Sequence, residues 1–406
     1  MIRQVTISNF RSLANVQVSL SPLTFLVGPN GSGKSNFLDA LRFVQESVQE
    51  SVQTAFDNRS GIQAVRYHSL RGPRDFGISI VIEYQDRGDR RLGHYAFEVA
   101  AKTEGDFEIK HEKCKVESFD LLGRVLGVSS YEVQEGKFIE EVPGVRAKLD
   151  RHRLALPIVS AVEEFTGLYD HLRAWRFYNL VPDRIRELQD PDPGLALKKD
   201  GSNLAAVIRE LKQADNGNGY EMVCELLGEV VPGITEVEPL PQGNKLTLRF
   251  WQETRKGAKK SRWGFPALNM SDGTLRALGV LIALNQLPPP PLVAIEEPES
   301  TIHPGALGVL IDAINQGQTR SQILVTTHSP DLIDHPAVTD NNLRLVEFRE
   351  GETVILPVGA ISKAAIRKRL ATYGQLLREN QLIPEETRLP WRPQKLFDFL
   401  EPRKPS

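Results

Sequence analysis

The sequence predicts an α/β fold built on a parallel sheet, and three observations predict it. The short apolar runs 23-LTFLV-27, 292-LVAI-295 and 322-QILVTT-327 read as buried strands, because nothing in them alternates with polar residues. Helical spacing follows the first run in 38-LDALRFVQESVQ-49 and separates the other two in 304-PGALGVLIDAINQ-316. Strands alternating with helices in this way form a parallel sheet. The third observation is 28-GPNGSGKS-35, which sits between the first strand and its helix.

The remaining elements follow in order. Residues 2-IRQVTISNF-10 and 16-VQVSL-20 alternate apolar and polar, as half-exposed strands do, and a helix is expected from about Ser35 to Gln53. Alternation returns in 76-FGISIVIEY-84, 94-HYAFEVAA-101 and 107-FEIKHEKCKVES-118, an antiparallel meander. From about 150 to 230 the spacing is helical, in 160-SAVEEFTGLYDHLRAW-175 and in 202-SNLAAVIRELKQ-213 with Ser202 as its N-cap, and 190-DPDPG-194 is a loop. Then come a strand, 245-KLTLRFWQE-253, a basic turn, 255-RKGAKKSRWG-264, and a long apolar helix from 271-SDGTLRALGVLIALNQL-287 that 288-PPPP-291 ends.

The two ends of the chain are therefore expected to be halves of one nucleotide-binding head. Residues 1–85 form its N-terminal lobe and 266–350 its C-terminal lobe; 86–265 are inserted between them as an α+β lid or arm, and 351–406 are a strand and helical extension with a Pro-rich tail. Neither an internal repeat nor a sustained heptad appears in the insert, which excludes a long coiled-coil arm.

Composition narrows the function classes. The 50 basic and 52 acidic residues balance, so any contact with nucleic acid has to come from a local patch. Cys114 and Cys224 stand apart without a CxxC pattern, which argues against a zinc hook or a disulfide scaffold and points to a reducing, cytoplasmic compartment. The polar start MIRQVTISNF is no signal peptide, and no apolar run is long enough to cross a bilayer, so a soluble protein is expected.

The chemistry lies in three motifs. Residues 28–35 satisfy GxxxxGK[ST]: the glycines let backbone N–H groups wrap phosphates, Lys34 reaches the β- and γ-phosphates, and the Ser35 hydroxyl ligates Mg²⁺. The helix that follows adds the positive end of its dipole. In 292-LVAIEEPES-300, Glu296 and Glu297 fall at a strand end, where α/β sheets bind ligands. Successive side chains point apart, so the two divide the work: Glu296 approaches Mg²⁺ through water, and Glu297 orients and deprotonates the attacking water. His328, in 323-ILVTTHSP-330, also ends an apolar strand and is suited to contact the γ-phosphate or that water.

In order, GPNGSGKS, MSDGTLRALGVLIAL, IEEPESTIHP and TTHSP resemble the Walker A, signature, Walker B with D-loop, and switch-histidine motifs of ABC-type ATPases. The opening ISNFRSL ahead of GPNGSGKSN is similar to the branch that holds RecF, the SMC proteins and the overcoming-lysogenisation-defect nucleases, often described as AAA-family predicted ATPases. The resemblance spans about 1–85 and 265–350 and matches the insert only in position. It implies a P-loop ABC-type head, a mixed sheet flanked by helices, that binds ATP and Mg²⁺ through Asn30, Gly31, Ser32, Gly33, Lys34, Ser35 and Asn36. It also implies a homodimer with ATP held between the Walker A loop of one copy and Ser271 and Gly273 of the other. Arg11 in NFRS is carried over as a nucleotide-facing residue, beside the plainer reading of a strand-end arginine.

This sequence departs from the family pattern in three places. Asp272 lies where transporter-type signatures have glycine, Glu296 stands where many members have Asp, and no Q-loop glutamine is assigned. The implied function is an ATP-hydrolysing switch acting on DNA or a DNA-processing partner, in DNA repair or antiviral defence. The competing readings are the ATPase subunit of a membrane transporter and a clamp that binds ATP without hydrolysing it. Lys259 and Lys260, with Trp251 and Trp263 nearby, suit either a phosphate grip on DNA or a solvated hairpin tip. Nuclease members carry a metal-binding Toprim domain after the head. The residues that follow 345-LVEFREG-351 are too few for one, so no nuclease activity is expected in this chain, and a separately encoded effector is implied.

Overall fold

The computed structural model describes residues 1–69, 72–73, 75–102, 105–140, 142, 148–256, 259–385 and 396–398. The N-terminal part runs β1 (Ile2–Phe10), β2 (Leu13–Ser19), β3 (Leu23–Val27), α1 (Lys34–Gln49), α2 (Val52–Asp57), α3 (Ile62–Val65) and the short pair β4 (His68–Ser69) and β5 (Gly72–Pro73). Next come β6 (Phe76–Asp86), β7 (Asp89–Ala101), β8 (Phe107–Phe119), β9 (Val125–Gln134) and β10 (Lys137–Glu140). A helical stretch contains α4 (Leu156–Val159), α5 (Glu163–Arg173), β11 (Arg176–Tyr178), α6 (Pro182–Arg186), α7 (Leu204–Gln213) and α8 (Asn218–Val230). The strands β12 (Ile234–Gln242), β13 (Lys245–Lys256) and β14 (Lys259–Pro266) lead into α9 (Asp272–Asn285), β15 (Leu292–Glu296), α10 (Pro304–Gly317), β16 (Gln322–Thr327) and α11 (Pro330–Ile333). The chain then forms β17 (Leu343–Arg349), β18 (Glu352–Pro357), α12 (Ala360–Arg367) and α13 (Tyr373–Arg378).

The parallel sheet has the order β11-β15-β16-β3-β17-β18, parallel except for β18. The central strands β15, β16 and β3 are buried on both faces, as their continuous apolar runs require. Leu26, Leu292, Ala294 and Leu324 point into a core shared with α1 and a seven-stranded antiparallel sheet, β10-β9-β8-β7-β6-β1-β2. Phe25, Val293, Ile295 and Val325 point into the opposite core, against α7, α8, α9 and α10. The predicted mixed sheet flanked by helices is present.

Four expectations are corrected. β6 pairs with β1 on one side and β7 on the other, so residues 86–140 continue the N-terminal sheet and the expected seam at 85/86 falls inside a hairpin. The helical stretch is also part of the head, because β11 joins the parallel sheet beside β15; its three residues, Arg-Phe-Tyr, were hidden among helical text. The first helix stops at Gln49, since Ser51 turns extended and caps α2 by accepting the N–H of Thr54. Likewise Asn203 rather than Ser202 stands at the N-cap of α7, and the side chain of Gln189 accepts the N–H of Ala205 there.

Between the two sheets, Phe43 of α1 meets Phe10, Phe56 and Phe76 at ring-centroid distances of 5.8, 5.1 and 5.4 Å. Glu112 on β8 is fully buried and accepts from Tyr95 Oη at 3.0 Å, Tyr131 Oη at 2.8 Å and the N–H groups of Ala155 and Leu156. Burial still pushes its carboxyl above the ordinary range. The residue ties β7, β8 and β9 to the start of α4. Glu112→Leu strands four buried donors and is expected to lower unfolding free energy by about 3–5 kcal/mol, read from urea denaturation.

Candidate nucleotide-binding and hydrolytic site

The C-terminal ends of three adjacent strands, β15, β16 and β3, build the site. After β3 the loop turns through Gly31 and Gly33, at φ of 79° and 104°, conformations that glycine adopts without a Cβ penalty. A Cβ on Gly33 would lie 2.0 Å from Thr353 Oγ1, and one on Gly28 would lie 2.0 Å from the Val346 carbonyl oxygen. These glycines therefore let β17 and β18 close on the loop from beneath. Thr353 Oγ1 donates to the Ser32 carbonyl at 2.8 Å and meets Ser12 Oγ at 2.7 Å.

Asn30 and Gly31 are exposed at the crest of the loop, while Ser32, Gly33 and Lys34 are buried. Lys34 Nζ donates to the carbonyls of Gly28 and Pro29 at 2.7 and 3.0 Å. Burial lowers its pKa, and Glu297 and Glu299 partly offset that. Ser35 Oγ donates to Glu296 Oε2 at 2.7 Å, bringing together the two oxygens predicted for Mg²⁺. The residues fit ATP and Mg²⁺. Ser32 Oγ is buried in the loop without a hydrogen-bond partner, and Mg²⁺ is ordinarily held by one or two protein oxygens plus phosphate.

Glu297 adopts φ of 43°, so the chain leaves the strand at this residue and its side chain separates from that of Glu296. His328 Nδ1 lies 3.2 Å from Glu297 Oε1. The structure thus unites Lys34, Ser35, Glu296, Glu297 and His328 around the strand ends. Arg11 and Asn36 form the loop's flank: Arg11 Nη2 pairs with Asp39 at 2.9 Å, its Nη1 donates to Asn36 Oδ1 at 3.3 Å, and Asn36 Nδ2 donates to Ser12 Oγ at 2.7 Å.

Ser271 and Gly273 lie elsewhere. They line a cavity of about 410 Å³ with Thr301, Ile302, His303 and the end of α8, and no residue of the phosphate loop borders it. Ser271 caps α9 by accepting the N–H of Thr274 at 3.2 Å. A Cβ on Gly273 would meet the Thr301 carbonyl at 2.4 Å, so this glycine is required within the chain itself. Asp272 accepts from Arg186 of α6, which neutralises the acid that departs from the glycine pattern.

Some residues escaped the sequence reading. Glu299 is a third carboxylate in 296-EEPE-299, signalled by the motif but unassigned, and Thr353 has no sequence signal. Arg276, also unassigned, faces Glu297 and Glu299 from α9. Lys259 and Lys260 have side chains outside the described residues. Near them Arg262 and Arg249 stack on Trp251 at 4.3 and 5.6 Å, and both are paired with acids, Glu236 and Glu238. The described part of that patch is internally neutralised. Among the described residues no helix is long and apolar enough to cross a membrane.

The chain is 26% identical to the OLD nuclease of Thermus scotoductus over 418 aligned positions, covering 92% of this chain and 68% of that protein. An SMC head crystallised with the C-terminal winged-helix domain of ScpA shares the fold at a TM-score of 0.53 and 16% identity, over 89% of this chain and 99% of that one. A Pyrococcus furiosus SMC head with an extended coiled coil gives 0.46 at 14% identity, over 91% and 99% of the two chains. The family described as "AAA domain, putative AbiEii toxin, Type IV TA system" matches residues 23–334, and the chain belongs to it: it is an AAA-domain P-loop protein, similar in sequence to the OLD nuclease and in fold to an SMC head.

Proposed function

We propose that the chain hydrolyses ATP to ADP and phosphate, closes as a homodimer around ATP and Mg²⁺, and acts on DNA or a DNA-processing effector in repair or antiviral defence. The observation that carries the reading is the 3.2 Å pair of Glu297 and His328, set beside the Ser35–Glu296 pair at the ends of adjacent strands. Two carboxylates on consecutive residues are split by one left-handed turn into a metal-side and a water-side group. Bound Mg²⁺ would be held by Ser35 and Glu296 and would neutralise developing phosphate charge. Glu297 takes the proton of the attacking water as the water oxygen bonds to the γ-phosphorus and the bond from that phosphorus to the β,γ-bridging oxygen breaks, releasing ADP, while His328 holds the carboxylate in direction.

Dimerisation is supported by the separation of Ser271 and Gly273 from the chain's own loop. Their N-terminal helix end offers N–H groups and a positive dipole to a γ-phosphate brought by a second copy. The relative's name, a nuclease, supports DNA or a DNA-processing effector as the context, and SMC heads support a partner-binding head.

Glu297→Gln is expected to cut phosphate release by roughly 100-fold or more while ATP binding persists, and to elute as a dimer with ATP and Mg²⁺. Equal release by both proteins would remove Glu297 from the mechanism. Gly273→Ala is expected to push α9 off the Thr301 turn, abolishing ATP-dependent dimers in gel filtration while each copy still binds ATP. Wild-type dimers would show that this close approach is dispensable.

A further inference from the structure

Glu299 closes the run 296-EEPE-299 and is only 9% exposed. Its Oε1 accepts the hydroxyl of Thr327 at 2.5 Å, and Thr327 Oγ1 accepts the N–H of Ser329 at 2.9 Å. These bonds bracket His328 on both sides in the chain. Glu299 Oε2 is buried with no hydrogen-bond partner. A buried polar atom left without a partner is destabilising, so stability alone does not favour a carboxyl here.

We propose that Glu299 is a positioning residue for ATP hydrolysis: through Thr327 it fixes the turn that carries His328 and so sets the contact between His328 and Glu297. The inference rests on the reading of Glu297 and His328 as the hydrolytic pair. The groups whose charges bear on Glu299 are Glu297 beside it and His328 across the strand ends, with Lys34 of the phosphate loop and Arg276 of α9 facing the same acids. Burial raises the Glu299 pKa, the Thr327 hydroxyl, the residue's own backbone N–H and His328 oppose that, and Glu297 adds to it. Two nearby carboxyls in unlike environments take unlike roles. The half-buried Glu297 serves as the base, and the buried Glu299 serves as a fixed acceptor for Thr327. The phosphate loop makes no hydrogen bond to Glu299 among the described residues, so nucleotide affinity is separable from the positioning effect.

The test uses the full chain with Glu299→Ala, Glu299→Gln and Thr327→Val, and Glu297→Gln as reference. Glu299→Ala and Thr327→Val are expected to lower kcat roughly 10- to 100-fold with KM for ATP nearly unchanged. Glu299→Gln keeps an acceptor oxygen and is expected to restore most of the rate. The ring ¹⁵N resonances of His328, assigned by their loss in His328→Asn, are expected to move in Glu299→Ala and to return in Glu299→Gln. If Glu299→Ala does not fold, Thr327→Val carries the same test on the other end of the bond. Wild-type kcat in both Glu299→Ala and Thr327→Val, or unmoved His328 resonances, overturns the positioning role. Wild-type turnover in Glu297→Gln instead overturns the hydrolytic pair beneath it, and the two failures are told apart by which variant keeps its rate.

Discussion

The site depends on β3 entering the parallel sheet between β16 and β17, where Val325 pairs with Phe25 and Leu343 pairs with Phe25 from the other side. That pairing brings the phosphate loop, which follows β3, level with Glu297 and His328, which follow β15 and β16. Nothing local does this, since the paired strands are separated by most of the chain. Loop-closure entropy makes such contacts slow and costly to form, and burial of the sheet on both faces offsets it. Loss of the pairing would leave each motif intact and the site absent.

Close backbone approach is the second constraint. Gly28 and Gly33 let β17 and β18 touch the loop, and Gly273 lets the start of α9 rest on the Thr301 carbonyl. The phosphate loop and the signature helix are thus both braced against segments distant in sequence. α6 adds a further brace, because Gly279 of α9 admits Leu180 and Ile185 and Arg186 holds Asp272.

Strongly periodic or motif-bearing segments were legible in the sequence. The buried strands, α9, α10 and the residues Lys34, Ser35, Glu296, Glu297 and His328 all stand where pattern and spacing put them. What escaped depended on tertiary context. β11 is three residues long and gains strand structure only from β15, so no period announces it. The meander strands read correctly, yet their membership in the N-terminal sheet rests on β6 pairing with β1, which alternation alone does not specify. Ser51 carried a capping signal that an apolar helical pattern masked, and Thr353 reaches the loop only through the fold. Glu299 lay inside a recognised motif, but its role depends on burial and on the partner of Thr327.

The central claim is that one active site is shared between two copies, and mixing two inactive variants tests it most directly. Lys34→Ala disables the phosphate loop, and Ser271→Asp preserves the helix cap while repelling a phosphate brought in trans. Each variant alone should hydrolyse almost no ATP. Their equimolar mixture should regain phosphate release, because a mixed dimer has one site with an intact loop and an intact opposing helix. A mixture as inactive as its components, with both proteins folded and the Ser271→Asp copy binding ATP, would contradict the shared site.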